Sequence, residues 1–442
     1  MKKIVKNILF IATSFIGIGM LASSCYKSDE SDSSSTTDNL PDITGYPIVT
    51  TNENIAFNNI TTISLPIEGD DFYGQNANYP GTTQRYVDNG DGTVTDMVTG
   101  LMWQQTLDHN GDGEINVNDK LTYDEILELP NTCQTGGHTD WRVPSIKEQY
   151  SLMDFSGKDI SGYDDDSTED LDPFINNEVF GFAYGDTDAN ERLIDVQCAS
   201  TTVYTDSSNP LIFGVNFADG RIKGYGSTMM GQAKKFNYLL CRGNSTYGIN
   251  SFTDNGDSTI TDSATNLMWM KYDSHTAMNW EDALVYAESF KCAGYTDWRL
   301  PDVKQLQSIV DYTRNPEMTS SAAIDPLFDC TSITNEAGEK DYAYYWSNTT
   351  HQNWQTNTDG GWGSYVCFGR AMGHESSIPG PPTLENINYN ESDDIVWTNV
   401  HGAGAQRSDP KDGNPDDWSE GNGPQGDAIH IFNYVRLVRT VK

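Results

Sequence analysis

Basic residues are scarce in this chain: 27 Lys and Arg stand against 64 Asp and Glu over 442 residues, for a formal charge of -37. Nucleic acid, heparin-like polymers and anionic lipid surfaces carry the same sign and would be repelled, so no nucleic-acid partner is expected. Long apolar runs are missing too. The longest, Ile8 to Leu21, holds about 14 residues against the roughly 20 a spanning helix needs, which leaves no transmembrane segment. No CxxC pair for zinc or redox chemistry occurs. The seven His, at 109, 138, 275, 351, 374, 401 and 430, sit in no HExxH and beside no GxSxG. With so many acids a carboxylate dyad can be drawn anywhere, so none is supported and no enzyme is expected. Proline is low at 17, while glycine reaches 39 and aromatics 11%. That balance is too aromatic for disorder and suits a folded, β-containing protein.

Lys2, Lys3 and Lys6 precede the apolar run and Ala22-Ser23-Ser24-Cys25 follows it, the pattern of a secretory signal ending in a lipobox. Ordinary cleavage is the alternative. The expectation is a signal peptide over 1–24 and a lipidated Cys25 opening a Ser- and Asp-rich tether over 25–44, too polar to bury anything. The charged start of that tether, Lys27 to Glu30, resembles the export signal of some Bacteroidota lipoproteins. The expected location is therefore the outer membrane, lipid-anchored and surface-exposed, with the membrane touched through the lipid only.

The chain then repeats itself. Asp88-Asn89-Gly90-Asp91-Gly92-Thr93-Val94-Thr95-Asp96 and Leu101-Met102-Trp103 return as Asp254-Asn255-Gly256-Asp257-Ser258-Thr259-Ile260-Thr261-Asp262 and Leu267-Met268-Trp269. Thr139-Asp140-Trp141-Arg142-Val143-Pro144 returns as Thr296-Asp297-Trp298-Arg299-Leu300-Pro301, and Phe236-Asn237-Tyr238 as Phe432-Asn433-Tyr434. Order and spacing both survive, so two tandem copies over 45–244 and 245–442 are expected. Asn-Gly-Asp-Gly before alternating Thr and Val predicts a hairpin opening each copy. Thr122 with Glu125, Asn279 with Asp282, Ser145 with Glu148 and Asp302 with Gln305 predict two capped helices per copy. Short aromatic strands fill the rest, and the class is α+β.

These strings, with Tyr345-Trp346-Ser347 and the closing Tyr434 to Arg439, resemble the C-terminal domain family of the Legionella collagen-like protein over about residues 66 to 442. The resemblance implies a fold similar to the C-type-lectin and formylglycine-generating-enzyme group, and extracellular adhesion. The family's best-understood member is an adhesin for sulfated glycans. That ligand does not carry over, because the charge here has the wrong sign. The shared Trp, Arg and Pro are expected to serve core packing and helix entry, with a binding site as the alternative.

One copy alone carries a metal motif. Asp108-His109-Asn110-Gly111-Asp112-Gly113-Glu114-Ile115-Asn116-Val117-Asn118-Asp119 has the spacing of a calcium loop. Asp108, Asn110 and Asp112 would supply side-chain oxygens, Glu114 its carbonyl, Asn116 a water-bridged ligand and Asp119 the closing carboxylate. Turns prefer the same residues, so a plain polar turn is the alternative. The loop sits in an insertion of nine residues between Trp103 and Trp141 that the second copy lacks. Calcium would order it, most simply as a structural ion.

With Cys25 lipidated, Cys133, Cys198, Cys241, Cys292, Cys330 and Cys367 remain, and Cys133–Cys241 and Cys330–Cys367 are the expected disulfides. The second copy adds Trp354, Trp362, Trp397 and Trp418 among Gly, Asn, Asp and Gln, with the stretch His401 to Lys411 containing Gln406 and Arg407. Aromatic rings rimmed by amides and carboxylates suit a neutral sugar; the alternative is that these Trp fill a larger core. The functional expectation is a cell-surface, non-catalytic protein binding an extracellular glycan, or else a structural or protein-binding component of a surface assembly.

Overall fold

The computed structural model describes residues 40–441 apart from 166, 206–209, 230, 375–394 and 424. The expected signal peptide, Cys25 and most of the tether lie outside the described residues.

Each copy opens with a hairpin whose turn residues shape it. In the first copy, β1 (Tyr86–Asp88) and β2 (Thr93–Asp96) flank the turn. Asp88 Oδ1 accepts the Gly90 amide at 2.8 Å, and Asn89 Nδ2 donates to the Thr93 and Thr95 hydroxyls at 2.9 Å. Gly90 and Gly92 supply the positive φ, +75° and +85°, that the turn requires. β3 (Leu101–Gln104) pairs back on β2. After α1 (Tyr123–Glu128) and α2 (Ile146–Tyr150) come β4 (Gln197–Tyr204), β5 (Leu211–Asn216) and β6 (Arg221–Gly226). β7 (Cys241–Gly243) then closes on β3.

The second copy repeats this order with β8 (Phe252–Asp254), β9 (Thr259–Asp262), β10 (Leu267–Met270), α3 (Trp280–Ser289) and α4 (Val303–Ser308). β11 (Tyr344–Thr350), β12 (Trp362–Cys367), β13 (Gln406–Pro410) and β14 (Val438–Thr440) follow. Its turn makes the same bonds: Asp254 to the Gly256 amide at 2.9 Å, and Asn255 to Thr259 and Thr261 at 2.8 and 2.9 Å. The resulting sheets run β7-β3-β2-β1 and β8-β9-β10-β14. Thr122, Ser145 and Asp302 close the expected capping boxes, and Asn279 caps α3 through the Asp282 amide. The chain is a loop-rich α+β protein in two copies.

The shared Trp-Arg motif is framework. Trp103 and Trp269 are fully buried, and Trp141 and Trp298 nearly so, donating to the Thr135 and Cys292 carbonyls. Asp140 and Asp297 clamp Arg242 and Arg439 of the closing strands at 2.6 and 2.7 Å. Each clamp fixes the approach to a helix onto the strand that ends its copy.

The two copies merge. Three strands from each join in one six-stranded sheet, β11-β12-β13-β6-β5-β4, where β13 meets β6 antiparallel through Gln406 and Ile222. Ile222 faces Val215 in its own copy as Gln406 faces Val366 in the other, so the central pair is made of equivalent residues. An approximate two-fold axis therefore passes between them. The helices obey the same axis: Lys147 Nζ donates to the Ser308 carbonyl at 2.8 Å and Lys304 Nζ to the Ser151 carbonyl at 3.1 Å. Residues ahead of β1 lie on the second copy, with Glu53 accepting the Thr350 amide at 3.0 Å and Lys304 also reaching the Thr50 carbonyl at 3.1 Å. Residues 40–442 form one compact unit, so the two copies are repeats within a single folded body.

One sequence repeat does not hold in space. Asn237 exchanges backbone bonds with Gln197 and Ala199 of β4, and Tyr434 exchanges them with Tyr344 and Trp346 of β11. Asn237 therefore corresponds to Tyr434, and Tyr238 to Val435, one residue away from the match of the two Phe-Asn-Tyr strings. A slip of one residue turns every side chain to the other face. Phe236 is 1% exposed and Phe432 46% exposed for this reason.

Candidate functional site

The loop from Asp108 to Asp119 lies between β3 and α1 and is shaped by its own side chains. Asp108 accepts the Gly111 and Gly113 amides at 2.7 and 3.0 Å, Asn110 the Asp112 amide at 2.8 Å, and Asp112 the Glu114 amide at 2.9 Å. Asp119, buried, accepts the His109 and Asn110 amides on Oδ1 at 2.8 and 3.1 Å and the Asn116 amide on Oδ2 at 3.0 Å. Asn116 caps the short 3-10 turn Val117–Asp119. Gly113, at the sixth position, has φ +90°. The closing carboxylate is thus bonded to amides from both ends of the loop.

Asp108 Oδ1 and Oδ2 and Asp119 Oδ2 each accept one amide and keep a lone pair of the hard-oxygen kind that calcium takes, whereas Asp119 Oδ1 already accepts two. Among the described residues no three His, Cys, Asp or Glu side chains gather as a metal-holding group. The donor set here depends on Asn110, Asn116 and the Glu114 carbonyl as well as on its acids. Beside the loop, the His109 ring stacks on Tyr238 with centroids 3.7 Å and planes 6° apart, and its Nε2 lies 2.9 Å from the Tyr238 carbonyl. Burial lowers the His109 pKa, against the carbonyl contact that favours the proton.

The four second-copy tryptophans do not form one platform. All are half-buried. Trp362 on β12 and Trp418, in the 3-10 turn Pro415–Trp418, meet edge to face with centroids 6.0 Å apart. Trp397 packs against His374 at 5.4 Å. Trp354 packs against Tyr163 of the first copy at 5.1 Å and donates to the Ser161 carbonyl at 3.3 Å.

Gln406 and Arg407 are corrected from platform to interior. Both are buried on β13 in the middle of the six-stranded sheet, where Gln406 accepts from the Tyr150 hydroxyl at 3.1 Å. Arg407 donates to the Met372 carbonyl at 3.0 Å and lies 3.1 Å from the Asp427 carboxylate. Asp427, in the Gly-rich stretch that carries it, is held charged by Arg407 and His401 against its burial. An Arg in a chain with 64 acids was the available signal for such an ion pair, but its burial and its partner are fixed only by folding.

The two expected disulfides are corrected as well: all six described cysteines are free. Strand alternation is the reason. Cys241 lies opposite Trp103 on one face of its sheet, whereas Cys133 sits 3.6 Å from the side chain of Gln104, the next residue, which projects from the other face. Cys367 lies opposite Tyr344, while Cys330 is 3.1 Å from the hydroxyl of Tyr345, again the next residue. Burial pushes the Cys198 thiol up to about 12 and Cys330 to about 11, and raises Cys241 and Cys367 as well. These thiols stay protonated and unreactive at neutral pH.

The Lcl C-terminal domain matches residues 92–237 and 258–379. No curated protein and no solved structure matches the chain. The two matched segments cover more than half of the chain, and both start at the same turn position, Gly92 and Ser258. The chain therefore belongs to the Lcl C-terminal domain family, which it carries in two tandem copies.

Proposed function

We propose that this is a non-catalytic, lipid-anchored protein of the outer-membrane surface that binds an extracellular ligand, a neutral glycan, through its second copy. One observation carries the reading: Trp362 and Trp418 meet edge to face and half-exposed, at a strand position where the first copy has Leu211. An aromatic pair of this kind gives a sugar's apolar face a ring to stack on, and Asp412, Asn414 and Asp416 nearby in the chain supply polar groups for its hydroxyls. The formal charge of -37 disfavours sulfated polymers. The finer assignment of each copy to the C-type-lectin-like and formylglycine-generating-enzyme-like group is part of the same proposal, as is calcium as a structural ion of the 108–119 loop. Buried, protonated thiols support the non-catalytic reading.

A glycan array probed with residues 26–442, in calcium and then in chelator, tests this. Trp362→Ala and Trp418→Ala should lose the hits while melting within a few degrees of the parent. A blank on folded, calcium-loaded protein removes the glycan reading in favour of a protein-binding component of a surface assembly. The melting temperature should rise in millimolar calcium, and Asp108→Ala with Asp112→Ala should abolish the rise. No rise in the unmutated protein removes the calcium site.

A further inference from the structure

Between α3 and the closing segment of the second copy lies a cavity of about 180 Å³, lined by Met270, Tyr272, Tyr286, Phe290, Val435 and Leu437, with Asp273 and His275 also at its wall. The first copy shows what this place is shaped for. α1 and α3 start at equivalent caps, Thr122 and Asn279, so Leu129 and Cys133 stand where the cavity has Tyr286 and Phe290. The backbone register makes Tyr238 the counterpart of Val435. Tyr238 is buried, in one cluster with Leu129 and Cys133, and is covered by the stacked His109 ring. In the second copy the phenol is replaced by an isopropyl group. His275, six residues past the hairpin tryptophan as His109 is, does not cover the place: its side chain is 66% exposed, its Nδ1 lies 3.2 Å from the Thr331 hydroxyl, and its φ is +53°. The first copy fills the place from the closing segment, with Tyr238 and its histidine lid; the second sets larger rings, Tyr286 and Phe290, on the helix side and still leaves the cavity open where Tyr238 and the lid would sit.

We propose that the second-copy cavity binds the ring of a tyrosine side chain presented by an extracellular polypeptide, taking up the position that Tyr238 occupies in the first copy. The walls favour an aryl ring over a sugar. Asp273, the one carboxylate there, is already spent: it accepts from the Thr331 amide and hydroxyl at 2.8 and 2.6 Å and from the Tyr345 hydroxyl at 2.6 Å. A pyranose pushed inside would leave hydroxyls without partners, whereas an aryl ring needs partners only at its one hydroxyl. Tyr272, Tyr286 and Phe290 give edge and face contacts, and His275 at the rim gives the phenol hydroxyl a polar neighbour. The site is separate from the Trp362 and Trp418 surface and stands whether or not that surface binds glycan.

The test uses residues 26–442 and N-acetyltyrosinamide as the probe, followed by ligand-observed NMR, with methyl glucoside as the comparison. Saturable binding of the tyrosine probe is expected, unchanged in Trp362→Ala. Val435→Tyr, which copies the first repeat, should weaken it about tenfold or more because the cavity is filled. Val435→Ile, a smaller filling that the fold tolerates more readily, should fall between the two. Undiminished binding in both Val435 variants, stronger binding of the glucoside at this cavity, or no saturable binding by the unmutated protein would overturn the proposal.

Discussion

The two copies share a framework and part company over the same helix. Both bury a tryptophan in the hairpin sheet, Trp103 and Trp269, and both clamp the closing arginine with the aspartate of the Thr-Asp-Trp-Arg segment. Against α1 the first copy packs Tyr238 and covers it with His109 from the inserted 108–119 loop. Against α3 the second copy has Val435, a histidine turned outward and a cavity of about 180 Å³. The framework that holds each copy to itself is thus shared, while the packing over α1 and α3 differs. The framework can stay fixed because its contacts are made within one copy.

The largest effect should come from the shared framework. Trp103→Ala and Trp269→Ala should each cost about 3–5 kcal/mol in urea unfolding, and by similar amounts. A loss confined to one of them would break the equivalence of the copies. Next comes the point of difference: Tyr238→Val should lose about 2–3 kcal/mol by opening in the first copy the space that the second already has. The reverse change, Val435→Tyr, should cost less than that. Equal and large losses from both would show that the two places are not equivalent.

The contacts across the axis come third. Lys147→Ala leaves the Ser308 carbonyl without its lysine donor and Lys304→Ala the Thr50 carbonyl, while the Ser151 carbonyl keeps Gln84 Nε2 at 2.8 Å, for about 1–3 kcal/mol apiece. Burial lowers both lysines from the ordinary 10.5 to about 8. Between those values the unfolded chain binds more protons than the folded one, so these groups make stability rise with pH across that window. Below about pH 8 both states are protonated and the lysines add no slope. Denaturant midpoints measured from pH 8 to 10 should show the rise in the parent and a smaller one in the double variant. The smallest effect belongs to the half-buried pair: Trp362→Ala should move stability by roughly 1 kcal/mol or less, as a surface change does, and a loss several times larger would identify that ring as core.

Much of this was legible in the chain because it is written over a few residues. Asp88 reaches Gly90, Asn89 reaches Thr93, and Ser145 reaches Glu148; such bonds need only the right residues at the right spacing, so hairpins, caps and the tandem repeat are read correctly from strings. The disulfides failed on alternation: Cys133 and Cys241 look plausible in sequence, yet one residue of register, Trp103 against Gln104, puts them on opposite faces. The Phe-Asn-Tyr string failed the same way, since identical letters do not carry register. Gln406 and Arg407 were misplaced because their loop-like neighbourhood of glycines enters the centre of a sheet whose other half comes from residues far earlier in the chain.

By itself the sequence determined the two copies, their turns and capped helices, the acidic composition and the place of the 108–119 loop, since each depends on local bonds or on composition. Only the tertiary structure decided that the copies fuse through β6 and β13 about an approximate two-fold axis, that the thiols stay apart and that the tryptophans divide into separate contacts. It alone decided, too, that a cavity opens where Val435 replaces Tyr238. The physical reason is that strand pairing joins residues hundreds of positions apart, and a shift of one residue in that pairing reverses which side chains meet.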